Sequence, residues 1–526
     1  MKLYIAEKPS MGRAIADVLP KPHRKMDGCI LTGNGDYVSW CIGHLLEQAE
    51  PKAYNPNFKQ WREEHLPIIP TDWKLQPKSN TKKQLAVLKK LISDSDEIIH
   101  AGDPDREGQL LVDQVIAYLT KKQSSVRQSV KRCLINDLNP KAVTRALANL
   151  KDNKEFAPLS SSALARSRAD WLYGINMTRA YTLQGRKVGF DGLLSVGRVQ
   201  TPLLGLVVRR DEEIEKFTVK PYYEVAASIQ HSENEATNKF IAIWQPSEAC
   251  EPYMDSEGHI LLKSLAENVV KRIESKVAKV KKVSEKNKKL SPPLPYNLSA
   301  LQIDAATKFS LSAQEVLDLC QMLYERHKII TYPRSDNRYL PNEHFELAKG
   351  ILRSIATNIN KFANLVSAAD IKIKSKAWDD KKVAAHHAII PTEKTINIQH
   401  LSKGEYNIYT LIARQYIAQF YVKHEFKDIQ VDLDIEGGLF VAKNRSTTIE
   451  GWKQVFASDN KEKKNQNKNT IPSLKKGEQL FCREAKLLEK ETTPPKHFTD
   501  ATLLSAMTGI ARFVKDPEVR KILKET

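Results

Sequence analysis

The hydrophobic and polar positions of the first 120 residues follow two alternating patterns. Residues 3–6 and 98–99 form short apolar runs of the kind that make buried strands. Each run is followed by a stretch whose apolar residues recur on one helical face: Ala14, Ile15, Val18 and Leu19 after the first, and Leu110, Leu111, Val115 and Leu119 after the second. Strands that alternate with helices in this way predict an α/β domain with a largely parallel sheet.

The rest of the chain changes its pattern several times. Helical spacing extends over residues 157–217, 298–325 and 494–524, whereas residues 221–229, 240–244, 329–332 and 427–434 resemble strands. Residues 271–289 are crowded with Lys and end before Ser-Pro-Pro, which we interpret as a linker signal. A chain of 526 residues allows roughly three to five domains.

Composition excludes several classes of protein. Hydrophobic residues make up 41% of the chain, so a globally disordered chain is excluded. The apolar stretches are too short to cross a bilayer, and Glu7 and Lys8 interrupt the N-terminus where a signal peptide would stay apolar. We therefore expect an intracellular protein with no membrane partner.

The net charge and the spacing of the cysteines further limit the partners and the kinds of site that the protein could have. A formal net charge of +19 at pH 7 suggests a polyanionic partner, most simply nucleic acid, although a basic surface kept for solubility is the alternative. No two of the six cysteines lie within ten residues of each other. That spacing excludes a CxxC zinc site and disfavours a disulfide framework.

The sharpest local motif is AGDPDREGQ at residues 101–109. It places Asp103, Asp105 and Glu107 in a turn between the apolar run at 98–99 and a helix, and Glu7 closes the first apolar run. Carboxyl ends of parallel strands meet at one edge of a sheet, where these acids would repel one another unless a cation neutralises them. Oxygen ligands suit Mg²⁺. A solvated acidic turn is the alternative.

A candidate nucleophile lies in IITYPRSD at residues 329–336. Tyr332 ends an apolar run and is followed by Pro333 and Arg334. The phenol has an ordinary pKa near 10, so it needs help to attack. Arg334 can stabilise charge on a phosphate, and Lys8 or a metal-bound water could assist proton transfer. The alternative for a single Tyr is a half-buried strand residue.

These motifs resemble those of known families. The Glu that ends the first strand and the later DxDxE are similar to the Toprim domain, which occurs in topoisomerases, primases and nucleases and leaves the reaction open. ITYPRSDNRYL at residues 330–340 resembles the active-site segment of type IA DNA topoisomerases. Residues 195–204, 294–325, 385–392 and 494–507 resemble further motifs of that family in the same order. Pro333, IWQPSEACEPY at 243–253 and the lack of zinc knuckles resemble its bacterial topoisomerase III branch most.

The resemblance implies a mixed α/β multidomain torus. Its parts would be a Toprim α/β domain at residues 1–155, a helical DNA-groove domain at 156–217 and 488–526, a β-rich arch at 218–285 and 405–487, and a helical tyrosine domain at 286–404. It implies an ATP-independent enzyme that cleaves one DNA strand through a 5′-phosphotyrosine, passes another strand and religates. No GxxxxGK[ST] loop is present, which agrees with independence from ATP.

The resemblance also implies roles for individual residues. The catalytic set is Tyr332, Glu7, Lys8, Arg334 and His386, and the metal set, for one or two Mg²⁺ ions and no zinc, is Glu7, Asp103, Asp105 and Glu107. The DNA-binding set is Trp61, Arg166, Asp170, Trp171, Arg179, Arg186, Ser195, Val196, Gly197, Arg198, Val199, Gln200 and Arg334. Expected partners are single-stranded DNA and negatively supercoiled or catenated DNA, with a helicase or a single-strand-binding protein as candidates, for a monomer in the bacterial cytoplasm and nucleoid.

The end of the chain departs from the family pattern. A Gly- and Thr-rich motif, a further helical section and often a basic tail would follow residue 526. We therefore expect an incomplete groove domain, with a non-catalytic single-strand-binding remnant or half of a split enzyme as the alternative function. Tyr332 disfavours a Toprim nuclease or primase. A helix from Thr499 is expected to bury its apolar residues, which are Leu503, Leu504, Met507, Ile510 and Phe513.

Overall fold

The protein is represented by a computed structural model that describes residues 1–120, 129–231, 239–383, 386–457 and 470–525. The strands are β1 (Lys2–Ala6), β2 (Arg24–Met26), β3 (Cys29–Leu31), β4 (Tyr37–Trp40), β5 (Leu46–Gln48), β6 (Leu75–Pro77), β7 (Glu97–Ala101), β8 (Ser129–Arg132), β9 (Lys151–Asp152), β10 (Pro221–Gln230), β11 (Phe240–Gln245), β12 (Lys276–Leu290), β13 (His424–Ile435), β14 (Gly438–Ile449) and β15 (Gln479–Glu491). The helices are α1 (Pro9–Asp17), α2 (Lys82–Ser93), α3 (Arg106–Thr120), α4 (Pro140–Ala148), α5 (Ala157–Lys187), α6 (Gln200–Glu215), α7 (Lys263–Ile273), α8 (Leu298–Phe309), α9 (Ala313–Met322), α10 (Ala348–Asn358), α11 (Ala363–Ser367), α12 (Lys403–Ile417), α13 (Asp500–Thr508) and α14 (Pro517–Glu525).

The N-terminal unit is built on a seven-stranded sheet in the order β2-β3-β4-β1-β7-β8-β9. Strand β1 lies between β4 and β7 and is parallel to both. Leu3 and Ile5 pack into a core on one face of the sheet, and Tyr4 and Ala6 pack into a core on the other. A central strand covered on both faces is apolar throughout, which is why its sequence forms a continuous run. Both predicted strands of this unit are confirmed.

Two long helices follow the sheet. The 31-residue α5 packs against α3, and α6 begins at Gln200 after an irregular segment. Both helices lie within the region whose spacing predicts helix. Because α3 begins directly after the acidic turn, its contact with α5 brings the acidic motif next to the predicted DNA-contacting residues.

Six antiparallel strands close into a barrel in the order β10-β11-β14-β13-β12-β15. The interpretation of residues 271–289 as a linker is wrong, because most of this segment forms β12. Ala278 and Val280 point into the barrel core, while the intervening lysines face outward. Several of those lysines pair with acids of the neighbouring β13, for example Lys288 with Asp428 at 2.7 Å. The high Lys content therefore belongs to the solvated face of a strand.

The tyrosine-bearing unit consists of α8 to α12 and the segments between them. Its core is continuous with the core under one face of the N-terminal sheet. Helix α12 packs into this same core through buried residues such as Ile408 and Ile412. The expected boundary between the tyrosine domain, ending at residue 404, and the arch, resuming at residue 405, would assign most of α12 to the arch. Helix α12 nevertheless packs against the tyrosine-bearing unit.

The segment that ends at Tyr332 is not a strand. Ile329 and Ile330 are buried, but the segment forms a single isolated β-bridge among the described residues, between Ile330 and Pro391. A single turn of π-helix at Leu323–His327 precedes it, and Lys328 has a left-handed backbone with φ of 57°. The apolar run is buried because neighbouring segments enclose it, so burial rather than strand pairing explains its composition.

The C-terminal helices pack differently from the expectation. The helix predicted to begin near Thr499 is confirmed as α13, and the Thr499 side chain caps it by accepting from the backbone N–H of Thr502. Helix α13 contacts α8, and the buried positions are Ala501, Ala506 and Ala511 rather than the larger apolar residues. Phe513 is 37% exposed. Among the described residues, no helix is both long enough and apolar enough to cross a membrane.

Candidate active site

Two acidic residues meet where β1 and β7 end. Ala6 and Ala101 are paired in register at the ends of these parallel strands, so Glu7 and Asp103 follow at the same edge of the sheet. The backbone N–H of Asp103 donates to Glu7 Oε2 at 2.9 Å. Gly108 makes this approach possible, because a Cβ at that position would lie 2.4 Å from Glu7 Oε2. The chain must therefore keep Gly at the start of α3.

The electrostatics of this edge suit a bound cation. Burial, followed by the charge of Asp103, raises the pKa of Glu7 to about 8. Burial also raises the pKa of Asp103, whose Oδ1 is buried without a hydrogen-bond partner among the described residues. An unpaired buried carboxylate oxygen is costly, and hard oxygen donors are the ligands that Mg²⁺ prefers.

Three of the four predicted metal ligands lie at this edge. Asp105 is held by its Oδ1, which accepts from the backbone N–H of Gly108 at 2.6 Å. Glu107 differs, because its carboxylate lies 3.6 Å from a guanidinium nitrogen of Arg166. Among the described residues, no three His, Cys, Asp or Glu side chains are grouped closely enough to form a ready-made metal cluster. Glu7 and Asp103 meet at this edge with Asp105 beside them, and the unpaired Oδ1 of Asp103 offers an oxygen ligand, while Glu107 is paired with Arg166.

Tyr332 completes this edge from the other unit. Its backbone N–H donates to the carbonyl of Asn136 at 2.9 Å, and its hydroxyl donates to Asp105 Oδ2 at 2.8 Å. The ring lies between those of His386 and Tyr324, with centroids 5.7 Å and 5.8 Å away. Burial and the nearby carboxylates, Asp103 first, raise the pKa of the phenol above its ordinary value. The hydroxyl therefore keeps its proton in this state.

Lys8 joins the two units electrostatically. Its Nζ lies 3.1 Å from Asp103 Oδ2 and 3.2 Å from Glu325 Oε1, and it lies over the rings of Tyr324 and Tyr332. Burial lowers the pKa of Lys8, but the attraction of Asp103 and Glu325 outweighs burial, so the pKa is raised overall. Lys8 is therefore a fixed positive charge beside the ring of Tyr332.

Sequence reasoning missed Glu325 and Gln321. With its amide oriented to satisfy both neighbours, Gln321 donates to Glu325 Oε1 at 3.3 Å and accepts from Arg334 Nε at 3.2 Å and Nη2 at 3.3 Å. These two residues thus connect Lys8 to Arg334. Their four-residue spacing just before the tyrosine segment is the signal that could have identified them, because such residues share one helical face.

The adjacent histidines His386 and His387 have different surroundings. His386 Nδ1 lies 3.0 Å from Asp336 Oδ1, while its Nε2 has no partner among the described residues. The hydrogen bond with His386 lowers the pKa of Asp336. His387 Nδ1 lies 2.8 Å from the carbonyl of Ala388, and its ring packs against that of His344. Of the two histidines, His386 is the one whose ring stacks on Tyr332.

A chain of ion pairs leads from the acidic turn along α5. Arg166 lies 3.6 Å from Glu107 and 3.8 Å from Asp170, and Asp170 pairs with Arg198 at 2.5 Å. All four side chains are about 40–46% exposed. The structure therefore brings Arg166, Asp170 and Arg198 together beside the catalytic edge, where their charged groups remain open to solvent.

Residues 195–200 form the turn that leads into α6. The backbone N–H of Val196 donates to Thr178 Oγ1 at 3.0 Å, and Gln200 Nε2 donates to Ser195 Oγ at 2.9 Å. Gly197 donates to Thr201 Oγ1 at 3.0 Å, and Val199 is 48% exposed. This turn is fastened to α5 and presents Arg198 at the surface.

The predicted aromatic contacts have different surroundings. Trp61 lies under the guanidinium of Arg179 at 5.1 Å and, with Arg186, lines a cavity of about 400 Å³. Arg179 itself is buried and donates to the carbonyl of Phe58. Trp171 donates to the carbonyl of Ala49 and packs against Tyr54 and Trp73. Trp61 and Arg186 are therefore open to a ligand, whereas Arg179 and Trp171 also have packing roles.

Two family models match the chain, the Toprim domain over residues 2–138 and DNA topoisomerase over residues 154–510. Together with the tyrosine and acidic motifs, these matches define the class, and the chain belongs to the type IA DNA topoisomerases. The expected resemblance to that family is confirmed, as is the mixed α/β multidomain fold.

Curated relatives narrow the similarity to one branch of the family. Over its whole length the chain is 55% identical to the DNA topoisomerase 3 of Pasteurella multocida, covering 82% of that protein. It is 35% identical to the DNA topoisomerase 3 of Bacillus subtilis, covering 70% of that protein. Full-length topoisomerase I from Thermotoga maritima matches with a TM-score of 0.66 at 20% identity, over 99% of this chain and 77% of that one, which supports the fold.

Proposed function

We propose that this chain changes DNA topology by cleaving one strand at Tyr332, passing another strand and resealing the break. The observation that carries the proposal is the hydroxyl of Tyr332, held 2.8 Å from Asp105 at the edge where Glu7 and Asp103 meet. A nucleophile from one unit thus faces the acids of another. Separation of the two units would open a gap without breaking the covalent link to DNA.

The reaction is a transfer of a phosphodiester to the phenol. The Tyr332 oxygen attacks phosphorus, the bond from phosphorus to the 3′ oxygen breaks, and the 5′ side stays on the protein. Asp105 already accepts the hydrogen bond from the phenol, so it is placed to take the proton as the new bond forms. Attack by the free 3′ hydroxyl reverses these steps. The phosphotyrosine conserves the bond energy, so ATP is not required.

Three cationic or donor groups surround the place where phosphate charge develops. Lys8 is fixed by Asp103 and Glu325, and Arg334 is positioned through Gln321. His386 Nε2 has no partner among the described residues and can donate to a phosphate oxygen. Glu7, Asp103 and Asp105 would hold Mg²⁺, which would supply positive charge that offsets the crowded carboxylates and the phosphate. Glu107 could contribute only after leaving Arg166.

Single-stranded DNA would reach the site along α5 and α6. Arg166 and Arg198 would exchange their contacts with Asp170 for phosphates, and Trp61 and Arg186 would contact a base and a phosphate farther along the strand. The exposed ion pairs support this assignment, since such pairs are worth only about 0–1 kcal/mol and exchange at little cost.

We propose negatively supercoiled and catenated DNA as the substrates, acted on by a monomer in the bacterial cytoplasm. One chain supplies both Tyr332 and the acids, so a second copy is not needed to complete the site. The net charge of +19 and the bacterial relatives support a DNA-bound location.

The test compares Tyr332→Phe with Tyr324→Phe, which removes the hydroxyl of the neighbouring ring 5.8 Å away. We expect Tyr332→Phe to lose both the covalent adduct and plasmid relaxation while it still binds single-stranded DNA. Tyr324→Phe should keep the adduct. The proposal is wrong if Tyr332→Phe still links to the 5′ end of cleaved DNA.

A further inference from the structure

A second cavity lies behind the tyrosine segment, between the N-terminal unit and the tyrosine-bearing unit. Its volume is about 760 Å³, within the range of sites that hold small ligands. One wall is the start of α4 with residues 134–139, and the other is formed by residues 343–353 and 387–394. Thr331 and Asn136 line it, and the carbonyl of Asn136 holds the backbone of Tyr332. An occupant would touch both units but not the acidic edge.

The cavity carries an excess of unpaired positive charge. Five cations line it, which are Lys141, Arg145, Lys151, Arg353 and Lys394, against the three carboxylates Asp137, Glu343 and Glu393. None of the five forms an ion pair within 4 Å with another described residue. Helix α4 begins here at Pro140, and the side chain of its N-cap residue Asn139 does not cap it. Helix N-termini with nearby cations favour phosphate groups.

The inner end of the cavity presents unpaired acceptors. His387 is 3% exposed, and burial lowers its pKa to about 3, so the ring is neutral. Its Nδ1 lies 2.8 Å from the carbonyl of Ala388 and must therefore carry the hydrogen, which leaves Nε2 as a lone-pair acceptor without a partner among the described residues. Asn136 Oδ1 is likewise buried with no partner in the part of the chain that the structure describes. A ligand that satisfies these two acceptors would carry N–H donors on the part that lies beside His387 and Asn136.

We propose that this cavity binds a nucleoside monophosphate. Its phosphate would lie between the N-terminus of α4 and the side chains of Arg145 and Arg353, and its base would donate to His387 Nε2 and Asn136 Oδ1. Inorganic phosphate offers the anion without the base, and a nucleoside offers the base without the anion. A nucleoside monophosphate combines the anion that the cations would bind with the N–H donors that the acceptors would bind.

The occupant would bridge the two units that must separate during strand passage. A bound nucleotide would therefore hold them in the arrangement seen here and slow relaxation without competing for the groove. This consequence rests on the proposed function, whereas the binding itself does not.

The binding test is calorimetric titration of the full chain with 2′-deoxyadenosine 5′-monophosphate while a saturating single-stranded oligonucleotide occupies the groove. We expect one site, with deoxyadenosine and inorganic phosphate each binding roughly tenfold more weakly. Arg145→Gln and Arg353→Gln should weaken the monophosphate roughly tenfold. Both side chains are exposed and unpaired among the described residues, so the variants should fold. Arg24→Gln, on the distant edge strand β2, is the matched control and should bind as the unaltered chain does.

Three results would overturn the proposal. Loss of nucleotide binding when the oligonucleotide is present would mean that the nucleotide binds at the DNA site instead. Weakening by Arg24→Gln equal to that by the cavity variants would indicate nonspecific charge attraction. Equal affinity for inorganic phosphate would exclude a nucleotide as the ligand. In a parallel relaxation assay the monophosphate should slow the unaltered chain but not Arg145→Gln. If a bound nucleotide leaves the relaxation rate unchanged, then it does not hold the two units together. A chain that binds the nucleotide but relaxes no DNA would contradict the proposed function and leave the cavity assignment standing.

Discussion

The acidic edge and the helices α5 and α6, here called the groove, both contain paired charged residues. The two regions differ in how far those side chains are exposed and in how many partners each has. At the edge, the side chains of Lys8 and Asp103 are 17% and 4% exposed, and Lys8 contacts a second carboxylate. In the groove, the paired side chains of Arg198 and Asp170 are 46% and 44% exposed. Buried charges with several partners are fixed in position and costly to disturb, whereas exposed pairs exchange readily. This difference agrees with the proposed roles, in which the edge carries the reaction and the residues along α5 and α6 bind DNA reversibly.

Removal of Mg²⁺ should give the largest difference between the two regions, because it should affect activity at the edge and not DNA binding in the groove. In the proposed function, Glu7, Asp103 and Asp105 hold Mg²⁺ while the side chains along α5 and α6 bind DNA without it, so EDTA should abolish plasmid relaxation and leave oligonucleotide affinity nearly unchanged. Relaxation should return when Mg²⁺ is added back. Full turnover in EDTA would contradict the cation site.

Gly108→Ala should damage the edge severely. A Cβ at this position would lie 2.4 Å from Glu7 Oε2 and 2.5 Å from the backbone oxygen of Asp103, so the acidic turn must shift. A displacement of about 1 Å at a reacting group costs on the order of 100-fold in rate. The matched control is Gly205→Ala in the groove helix α6, where no atom lies within 4 Å of the added Cβ. Comparable relaxation rates for the two variants would contradict the tight packing at the edge.

Glu325→Gln should have an intermediate effect. Lys8 would lose one of its two carboxylate partners and Gln321 would lose its acceptor, so both cations beside Tyr332 would be less well placed. We expect cleavage of a bound oligonucleotide to slow roughly 10- to 100-fold with little change in affinity. Glu346→Gln, an exposed position in the same unit, is the control. A change in affinity alone would assign Glu325 to DNA binding instead.

Arg166→Ala should have the smallest effect and should be confined to binding. Loss of one phosphate contact should reduce the slope of log affinity against log salt by about 0.7 for single-stranded DNA. Cleavage of oligonucleotide bound at saturation should hardly change. Lys216→Ala, at the far end of α6, should leave the slope as it is. An unchanged slope in Arg166→Ala would show that this side chain does not contact a DNA phosphate.

The sequence predicts the edge well because local rules determine it. Buried parallel strands form apolar runs, and their carboxyl ends gather at one edge, so Glu7 and Asp103 could be placed together before any coordinates. Tyr332 was identified by its motif, but its distance to Asp105 depends on how two units pack. Glu325 and Gln321 were missed for the same reason, since their roles depend on side chains that are distant in sequence.

The errors have physical causes of the same kind. Strand β12 resembled a linker because seven of its fifteen residues are Lys and only Ala278 and Val280 are fully buried in the barrel core. Residues 329–332 resembled a strand because they are enclosed by other segments. In α13, the small residues Ala501 and Ala506 pack closely, which hydrophobicity alone does not reveal.

The central claim is that Tyr332 and the acids of the N-terminal unit form one reacting site. The most direct measurement is to trap the covalent complex with a 3′-labelled oligonucleotide, digest the protein and locate the modified residue by mass spectrometry. We predict that the nucleotide is attached to the peptide that contains Thr331, Tyr332 and Pro333, and that Asp105→Asn greatly lowers the yield of this adduct. Attachment to any other residue, or an undiminished yield in Asp105→Asn, would contradict it.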